Sequence, residues 1–342
     1  MGKAASLQNQ ETTLLSCAIL DDYENCALSF ADWTSLPGVK VKAFTEYIPT
    51  ADALADQLAD FEIVVAMRER TSFDGKLLNR LTRLKLLVTT GMKNAAIDIT
   101  AATERGITVC GTEGLASPPL ELTWGLLLGL ARDIPAQTVS VRAGEWQTKV
   151  GVGLEGKILG IVGLGKIGSG IARIAQVFGM SVIAWQPRNP KVACEAAGVE
   201  CAASLNDLLQ RADFVTIHMV LAESTRGMIG AQELARMKPT AMLLNTARGP
   251  LVDEEALVRA LKENRIAGAA LDVYDTEPLP NNHPFRTLPN VVATPHLGYV
   301  TRENYQVFYS GAVEDIQGWL NGVPVRTLPE ILQPSRAAAG KL

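Results

Sequence analysis

The chain lacks any paired-cysteine signature. Its five cysteines, Cys17, Cys26, Cys110, Cys194 and Cys201, are an odd number, widely spaced and without a C-x-x-C pair, which argues against a disulfide framework and gives no zinc site. That usage fits a reducing, intracellular compartment. No basic tract occurs that would follow a phosphate backbone, and the formal net charge is −4 over 342 residues, so nucleic acid is not an expected partner. The longest strongly apolar stretch, Leu122 to Ala131, has about ten residues, too few to cross a bilayer. It reads as a buried helix, and no stable membrane association is expected. Met1 to Thr13 is polar and lacks the apolar core of a secretory signal; it reads as a loose tail of a cytoplasmic protein. Histidine is scarce too, with His218, His283 and His296 the whole set, so any imidazole acid/base comes from these three.

Two end motifs bear on localisation. Met1-Gly2-Lys3-Ala4-Ala5-Ser6 fits the myristoylation pattern, but one acyl chain alone binds membrane only marginally. Gly340-Lys341-Leu342 resembles the peroxisomal address with Gly in place of Ser, which makes the peroxisome the alternative to the cytoplasm.

What the chain does contain is a dinucleotide fingerprint. The apolar strand Ile158 to Val162 runs into Gly163-Leu164-Gly165-Lys166-Ile167-Gly168, followed by an expected helix from Ile171 to Phe178 and a second strand, Ser181 to Trp185. In such a βαβ unit the first glycine permits a tight turn, the second lets backbone approach a pyrophosphate, and the third lets helix pack on strand. An NAD site usually adds an acidic residue about 20 residues on, at the end of the second strand, to hold the ribose hydroxyls. Gln186 stands there instead, no acidic residue occurs between Gly168 and Glu195, and Arg188 follows. This pattern leans towards NADP(H), whose 2′-phosphate an arginine accompanies. The alternative is an NAD(H) site in which Gln186 or a backbone group bonds the ribose and Arg188 is merely solvated.

The length allows two domains. Before the fingerprint, short strands at Cys17 to Leu20, Val39 to Phe44, Glu62 to Ala66, Leu84 to Val88 and Ile107 to Cys110 alternate with helical stretches at Thr50 to Ala59 and Asp74 to Arg80. A long helix, Pro119 to Arg132, marks the change of domain. After the fingerprint, strands at Phe214 to His218, Ala241 to Asn245, Ala267 to Val273 and Val291 to Ala293 alternate with helices at Ala231 to Met237 and Asp253 to Lys262. The sheets are expected to be mainly parallel and buried on both faces. The amphipathic stretch Arg302 to Leu320 is expected to return to the first domain, and Arg336 to Leu342 reads as an unanchored tail.

Ligands of parallel α/β sheets bind outside the carboxyl ends of the strands. Arg248 occupies such a turn, Asn245 to Pro250, where its fork suits a carboxylate; a surface arginine beside a helix start is the competing reading. His296, in Thr294-Pro295-His296-Leu297-Gly298, also follows a strand, and it is the histidine best placed to move a proton near neutral pH. Glu277 is its candidate carboxylate partner, with Asp275 as the alternative and plain turn chemistry as the competing reading for both. Asp272 stands ready either to accept from a nicotinamide amide or to cap its own turn.

Taken together, these strings resemble the D-isomer-specific 2-hydroxyacid dehydrogenase family from about Leu15 to Pro329. Leu154 to Lys157, Asn245 to Asp253, Gly268 to Pro280 and Thr294 to Gly298 stand in the family's order and spacing. The resemblance implies an α/β fold with two Rossmann-like or flavodoxin-like domains, parallel sheets and a cleft between them. Residues 15–117 with 299–330 would form a discontinuous substrate domain, residues 118–298 the dinucleotide domain, and 1–14 and 331–342 loose tails. It implies a catalytic trio of Arg248, Glu277 and His296. Cofactor positions carried over are Gly163, Gly165, Lys166, Ile167, Gly168, Gln186, Arg188, His218, Thr225, Thr246, Ala247, Asp272 and Gly298. Substrate positions are Arg68, Gly91, Met92 and Lys93, with Arg70 either a second cation or ordinary surface charge. No metal is implied.

Two departures stand out: Asn94-Ala95-Ala96 replaces the commoner Val-Asp-Asn, and Val220 replaces a frequent proline. The implied activity is reversible NAD(P)H-dependent reduction of a small 2-keto acid (glyoxylate, hydroxypyruvate or pyruvate type) to the D-2-hydroxy acid by a homodimer. Formate dehydrogenases of this architecture carry Gln where Glu277 stands. The alternative of another class is a dinucleotide-sensing corepressor of the same fold.

Overall fold

The computed structural model describes residues 14–328. The motifs at Met1–Ser6 and Gly340–Leu342, Pro329 and the expected tail after it lie outside the described residues. The chain divides into two compact units, one running to Leu115 and resuming at Arg302, the other spanning Ala116–Thr301.

The first unit alternates β1 (Leu15–Ile19), β2 (Val39–Ala43), α1 (Ala51–Leu58), β3 (Ile63–Ala66), α2 (Gly75–Arg80), β4 (Leu86–Thr89), α3 (Ile99–Glu104) and β5 (Thr108–Gly111). Its strands lie in the order β2-β1-β3-β4-β5, all parallel, the flavodoxin-like order. β3 and β4 are buried throughout, which is why they read as continuous apolar runs rather than alternating ones. Helix starts are set by side-chain caps, Thr50 accepting from Ala53 N, Asp74 from Leu77 N and Asp98 from Ala101 N.

The second unit contains α4 (Ser117–Ala131), α5 (Ile134–Arg142), β6 (Ile158–Val162), α6 (Lys166–Val177), β7 (Ser181–Trp185), α7 (Pro190–Ala197), β8 (Glu200–Cys201), α8 (Leu205–Arg211), β9 (Phe214–Ile217), α9 (Ala231–Arg236), β10 (Met242–Asn245), α10 (Glu254–Lys262), β11 (Gly268–Leu271) and β12 (Val291–Ala293). The strand order is β12-β11-β10-β9-β6-β7-β8, all parallel. Read from β8, this is the doubly wound dinucleotide order, and its direction reverses between β6 and β9. α11 (Arg302–Leu320) then belongs to the first unit and packs on β4 and β5.

Several elements correct the expectations. α6 begins at Lys166, not Ile171. The glycines there read as helix breakers, yet packing demands them: a Cβ on Gly168 would stand 2.2 Å from Gly163 O, and one on Gly170 2.2 Å from Leu120 Cδ1. α3, α5, α7 and α8 were not expected. α7 starts with proline at its first turn, and Ser204 caps α8 by accepting from Asp207 N; these are signals of P-at-start and Ser-cap type in segments too short to show periodicity. All five cysteines are free, and burial pushes the Cys17 and Cys110 thiols up to about 12, which keeps them protonated and unreactive near neutral pH.

Candidate active site

The point where the strand order reverses is built by the turns after β6 and β9. Gly163 adopts φ 99°, a region open to glycine, and a Cβ there would lie 2.7 Å from His218 O. The first glycine thus lets the two turns touch. Gly165 differs: a Cβ on it would meet nothing within 4 Å, and as the residue before α6 it offers no side-chain cap. The first-turn amides of α6 have no intrahelical acceptor. Gln186 spans the far side. Its Oε1 accepts from Leu164 N at 3.2 Å and its Nε2 donates to Arg188 O at 2.6 Å, tying the end of β7 to the glycine turn, while Arg188 is exposed.

The other positions expected to meet the cofactor lie on neighbouring turns of this unit. Thr225 Oγ1 closes the turn after His218, accepting from Ala222 N at 2.8 Å and donating to Val220 O at 2.8 Å, with Val220 81% exposed. His218 Nε2 meets Thr216 Oγ1 at 2.9 Å, and burial lowers its pKa to about 4, so the imidazole is neutral in ordinary buffers. Thr246 Oγ1 meets Thr123 Oγ1 on α4 at 2.8 Å. Asn245 folds the turn that follows by accepting from Ala247 N at 3.1 Å and donating to Arg248 O at 2.9 Å.

Two loops carry the candidate acid/base pair. His296 Nδ1 lies 2.6 Å from Glu277 Oε2, a short charge-assisted contact, and Glu277 Oε1 accepts from Tyr274 N at 2.9 Å. Among the described residues Nε2 has no partner, so it is the ring nitrogen left for chemistry. His296 itself has φ 55°, a strained conformation for a non-glycine residue that a surrounding structure must enforce. Asp272, fully buried, supplies the enforcement: it accepts from Thr294 Oγ1 at 2.7 Å, Leu297 N at 2.7 Å and Gly298 N at 2.8 Å. Burial raises the Asp272 pKa against these bonds. Tyr274 joins the loops from the other side, its hydroxyl donating to Thr294 O at 2.8 Å. The imidazole therefore takes Glu277 rather than Asp275, whose amide instead donates to Glu254 Oε2 at 3.1 Å.

Arg248 reaches this region through its backbone. A Cβ on Gly249 would stand 2.1 Å from Tyr274 C, so the Arg248 turn lies flush on the loop of Glu277; the guanidinium donates to Ala247 O at 2.6 Å. His283 is held elsewhere, against Glu254 Oε1 at 3.0 Å.

In the first unit, Arg68 and Gly91 are brought together. A Cβ on Gly91 would fall 1.8 Å from Arg68 Nη1; Arg68 has φ 51° and donates through its backbone amide to Thr90 Oγ1 at 3.0 Å. Asn94, one of the departures from the family pattern, is buried and fixes this corner, Nδ2 donating to Arg68 O at 2.6 Å and Thr89 Oγ1 at 2.8 Å. The amides of Met92 and Lys93 have no acceptor among the described residues, and Lys93 is exposed. Arg70 donates to Asp21 O at 2.8 Å and lies over the Tyr23 ring at 4.6 Å, which accounts for it as a structural cation.

Sequence reasoning passed over Tyr274, Gly249 and Glu254. Tyr274 carried a signal, a phenol two residues after the strand-end Asp272, whereas Gly249 matters only through the proximity of a loop distant in sequence.

The model for the family described as "D-isomer specific 2-hydroxyacid dehydrogenase, NAD binding domain" matches residues 124–298. The glyoxylate reductase of Aeropyrum pernix is 40% identical over 259 residues, 73% of this chain and 77% of that protein. The chain belongs to the D-isomer-specific 2-hydroxyacid dehydrogenase family. The D-3-phosphoglycerate dehydrogenase of Methanocaldococcus jannaschii is 39% identical over 296 residues, 86% of this chain but 56% of that longer protein. A crystal structure of a putative D-3-phosphoglycerate dehydrogenase oxidoreductase from Ralstonia solanacearum superposes with a TM-score of 0.87 at 36% identity, covering 92% of this chain and 96% of that one. The matched region contains the fingerprint, and the bare space at Gly165 with its uncapped helix start fits the pyrophosphate of an NAD-type dinucleotide.

Proposed function

We propose that the protein is an oxidoreductase that interconverts a small 2-keto acid and its D-2-hydroxy acid with NAD(P)H. The observation that carries this reading is the 2.6 Å contact between His296 and Glu277 on adjacent strand-end loops, in a chain of this family. When bound, the reduced nicotinamide supplies the hydride. His296 moves a proton from Nε2 to the keto oxygen during reduction and takes it back during oxidation. Glu277 orients the ring through Nδ1. Arg248 holds the substrate carboxylate and polarises the keto group with a planar, permanently charged fork. In the first unit, Arg68 and the amides of Met92 and Lys93 are suited to an anion.

NADP(H) is the preferred cofactor in this proposal, because Gln186 puts no negative charge at the end of β7 and Arg188 is exposed beside it; NAD(H) is the competing reading. The protein is further proposed to be a homodimer. Val139, Val141, Trp146 and Val150, on and after α5, are 66%, 56%, 78% and 94% exposed, an apolar set that a second copy would cover.

The test is a panel of glyoxylate, hydroxypyruvate and pyruvate with NADH and with NADPH, and of D-3-phosphoglycerate with the oxidised cofactors, followed by nicotinamide absorbance. Turnover of at least one acid is expected. Tight cofactor binding with no turnover across the panel would refute the enzyme and favour a sensing role.

A further inference from the structure

The geometry points to Glu254 as a positioning residue for the His296–Glu277 pair, a role that rests on the function proposed above. Glu254 opens α10, where an acidic residue is ordinarily explained by the helix dipole. Here both of its oxygens are used across a loop. Oε2 accepts from Asp275 N at 3.1 Å, and Oε1 meets His283 Nε2 at 3.0 Å. His283 Nδ1 accepts from Phe285 N at 3.2 Å, which leaves the ring proton on Nε2 and makes His283 the donor to Glu254. Asp275 and His283 stand at opposite ends of the loop that presents Glu277, so one carboxylate closes that loop from both sides.

The rest of the loop is held at its middle. Arg286 donates through Nε to Pro280 O at 2.9 Å and through Nη2 to Leu279 O at 2.5 Å. Glu277 lies between these two anchorages, and its own Oε1 is on Tyr274 N, the amide preceding the one Glu254 holds. Glu254 also links this loop to the turn of Arg248, because α10 follows that turn directly and Asp253 caps it by accepting from Ala256 N at 2.9 Å. Side-chain exposures of 20% for Glu254 and 15% for His283 put the pair in partial shelter, where a hydrogen bond is stronger than on an open surface. Releasing Glu254 frees both ends of the loop, and the displacement reaches Glu277, two residues beyond Asp275, and through it the imidazole of His296.

The test uses Glu254→Gln in the full chain. It is isosteric, removes the charge, and turns an NH2 group towards one of the two donors. The first readout is the low-field proton resonance of His296 Nδ1–H, assigned by its absence from His296→Gln and Glu277→Gln. The second is kcat against cofactor Kd. The resonance is expected to move upfield or broaden, and kcat to fall about tenfold with Kd within about twofold, as a sub-ångström misplacement of a catalytic group implies. The double variant with His283→Gln is expected to lose no more than Glu254→Gln alone; full additivity would overturn the route through His283. A wild-type resonance with kcat within about twofold would overturn the proposal, whatever the melting temperature. Should Glu254→Gln fail to fold, Glu254→Asp, which keeps the charge but reaches only one donor, carries the same two readouts. The resonance requires no substrate, so it tests the positioning role even if no acid in the panel is turned over.

Discussion

Two glycines of one fingerprint should respond oppositely to a single methyl group. In Gly168→Ala the new Cβ lies 2.2 Å from Gly163 O. Ordinary contact begins near 3.4 Å, so helix and turn must part by roughly 1.2 Å, and the obstructing atom is a backbone carbonyl that cannot swing aside. Such overpacking costs about 1–3 kcal/mol. That exceeds the ~1 kcal/mol gained by replacing glycine inside a helix wherever the cost is in the upper half of its range. A net loss of about 1–2 kcal/mol lowers Tm by roughly 2–8 °C in a domain of this size. In Gly165→Ala the Cβ meets nothing within 4 Å and φ is −84°, which alanine adopts freely, so folding should be unaffected to within ~0.5 kcal/mol. The methyl group instead fills the space assigned to the pyrophosphate, and losing about 1.4–2.8 kcal/mol there weakens binding ~10–100-fold. Thermal melts and fluorescence titration with NADH and NADPH measure both effects. Wild-type affinity in Gly165→Ala, or an undiminished Tm in Gly168→Ala, would refute this assignment of roles.

Replacing His296 with Ala should leave cofactor Kd unchanged and cut kcat by about two to four decades, the worth of a positioned acid/base; near-wild-type turnover would remove His296 from the mechanism. Gln186→Asp should shift preference towards NADH, and an unaltered NADPH/NADH ratio of kcat/KM would sink the account of the loop after β7. His218 gives a pH prediction. Its folded pKa is lowered by burial to about 4 from 6.5, so the unfolded chain takes up the proton first. Stability is unaffected above pH 6.5 and is lost as pH falls from 6.5 towards 4, by up to ~3 kcal/mol. Urea unfolding at pH 7 and pH 4.5 should therefore show a smaller difference in His218→Gln than in the wild type, and equal differences would contradict the burial argument.

The parts of this molecule legible in its sequence are those governed by local rules. The buried strands announce themselves as apolar runs, and β6, β7 and β12 begin and end where composition changes. The fingerprint is legible in its own spacing; strand ends make Arg248, Glu277 and His296 candidates, and it is the family resemblance that singles them out as a trio. What stayed hidden depends on distance through space. The early start of α6 rests on Leu120 and Gly163 pressing against residues that single-residue propensity assigns to a loop. The parts played by Asp272, Tyr274 and Gly249 arise from backbone groups of other loops. Glu254 is locally an ordinary first-turn acid, and nothing in its neighbourhood along the chain reveals that its oxygens cross to Asp275 and His283. Asn94 read as a deviation in a binding loop; the structure makes it a strut between Arg68 and Thr89.

The amide of Tyr274 acts as a polarity key for its neighbour. A carboxylate presents an acceptor at both ends, so Glu277 satisfies that amide and still offers an oxygen to the imidazole. A carboxamide in the same place must keep its oxygen on the amide, which turns its NH2 towards His296. The ring nitrogen facing it would then have to accept, and the proton would be confined to Nε2 of an uncharged ring. Exchanging one oxygen for nitrogen would thus reverse the tautomer without moving a loop, and an enzyme built that way would suit a substrate that has no proton to give or take.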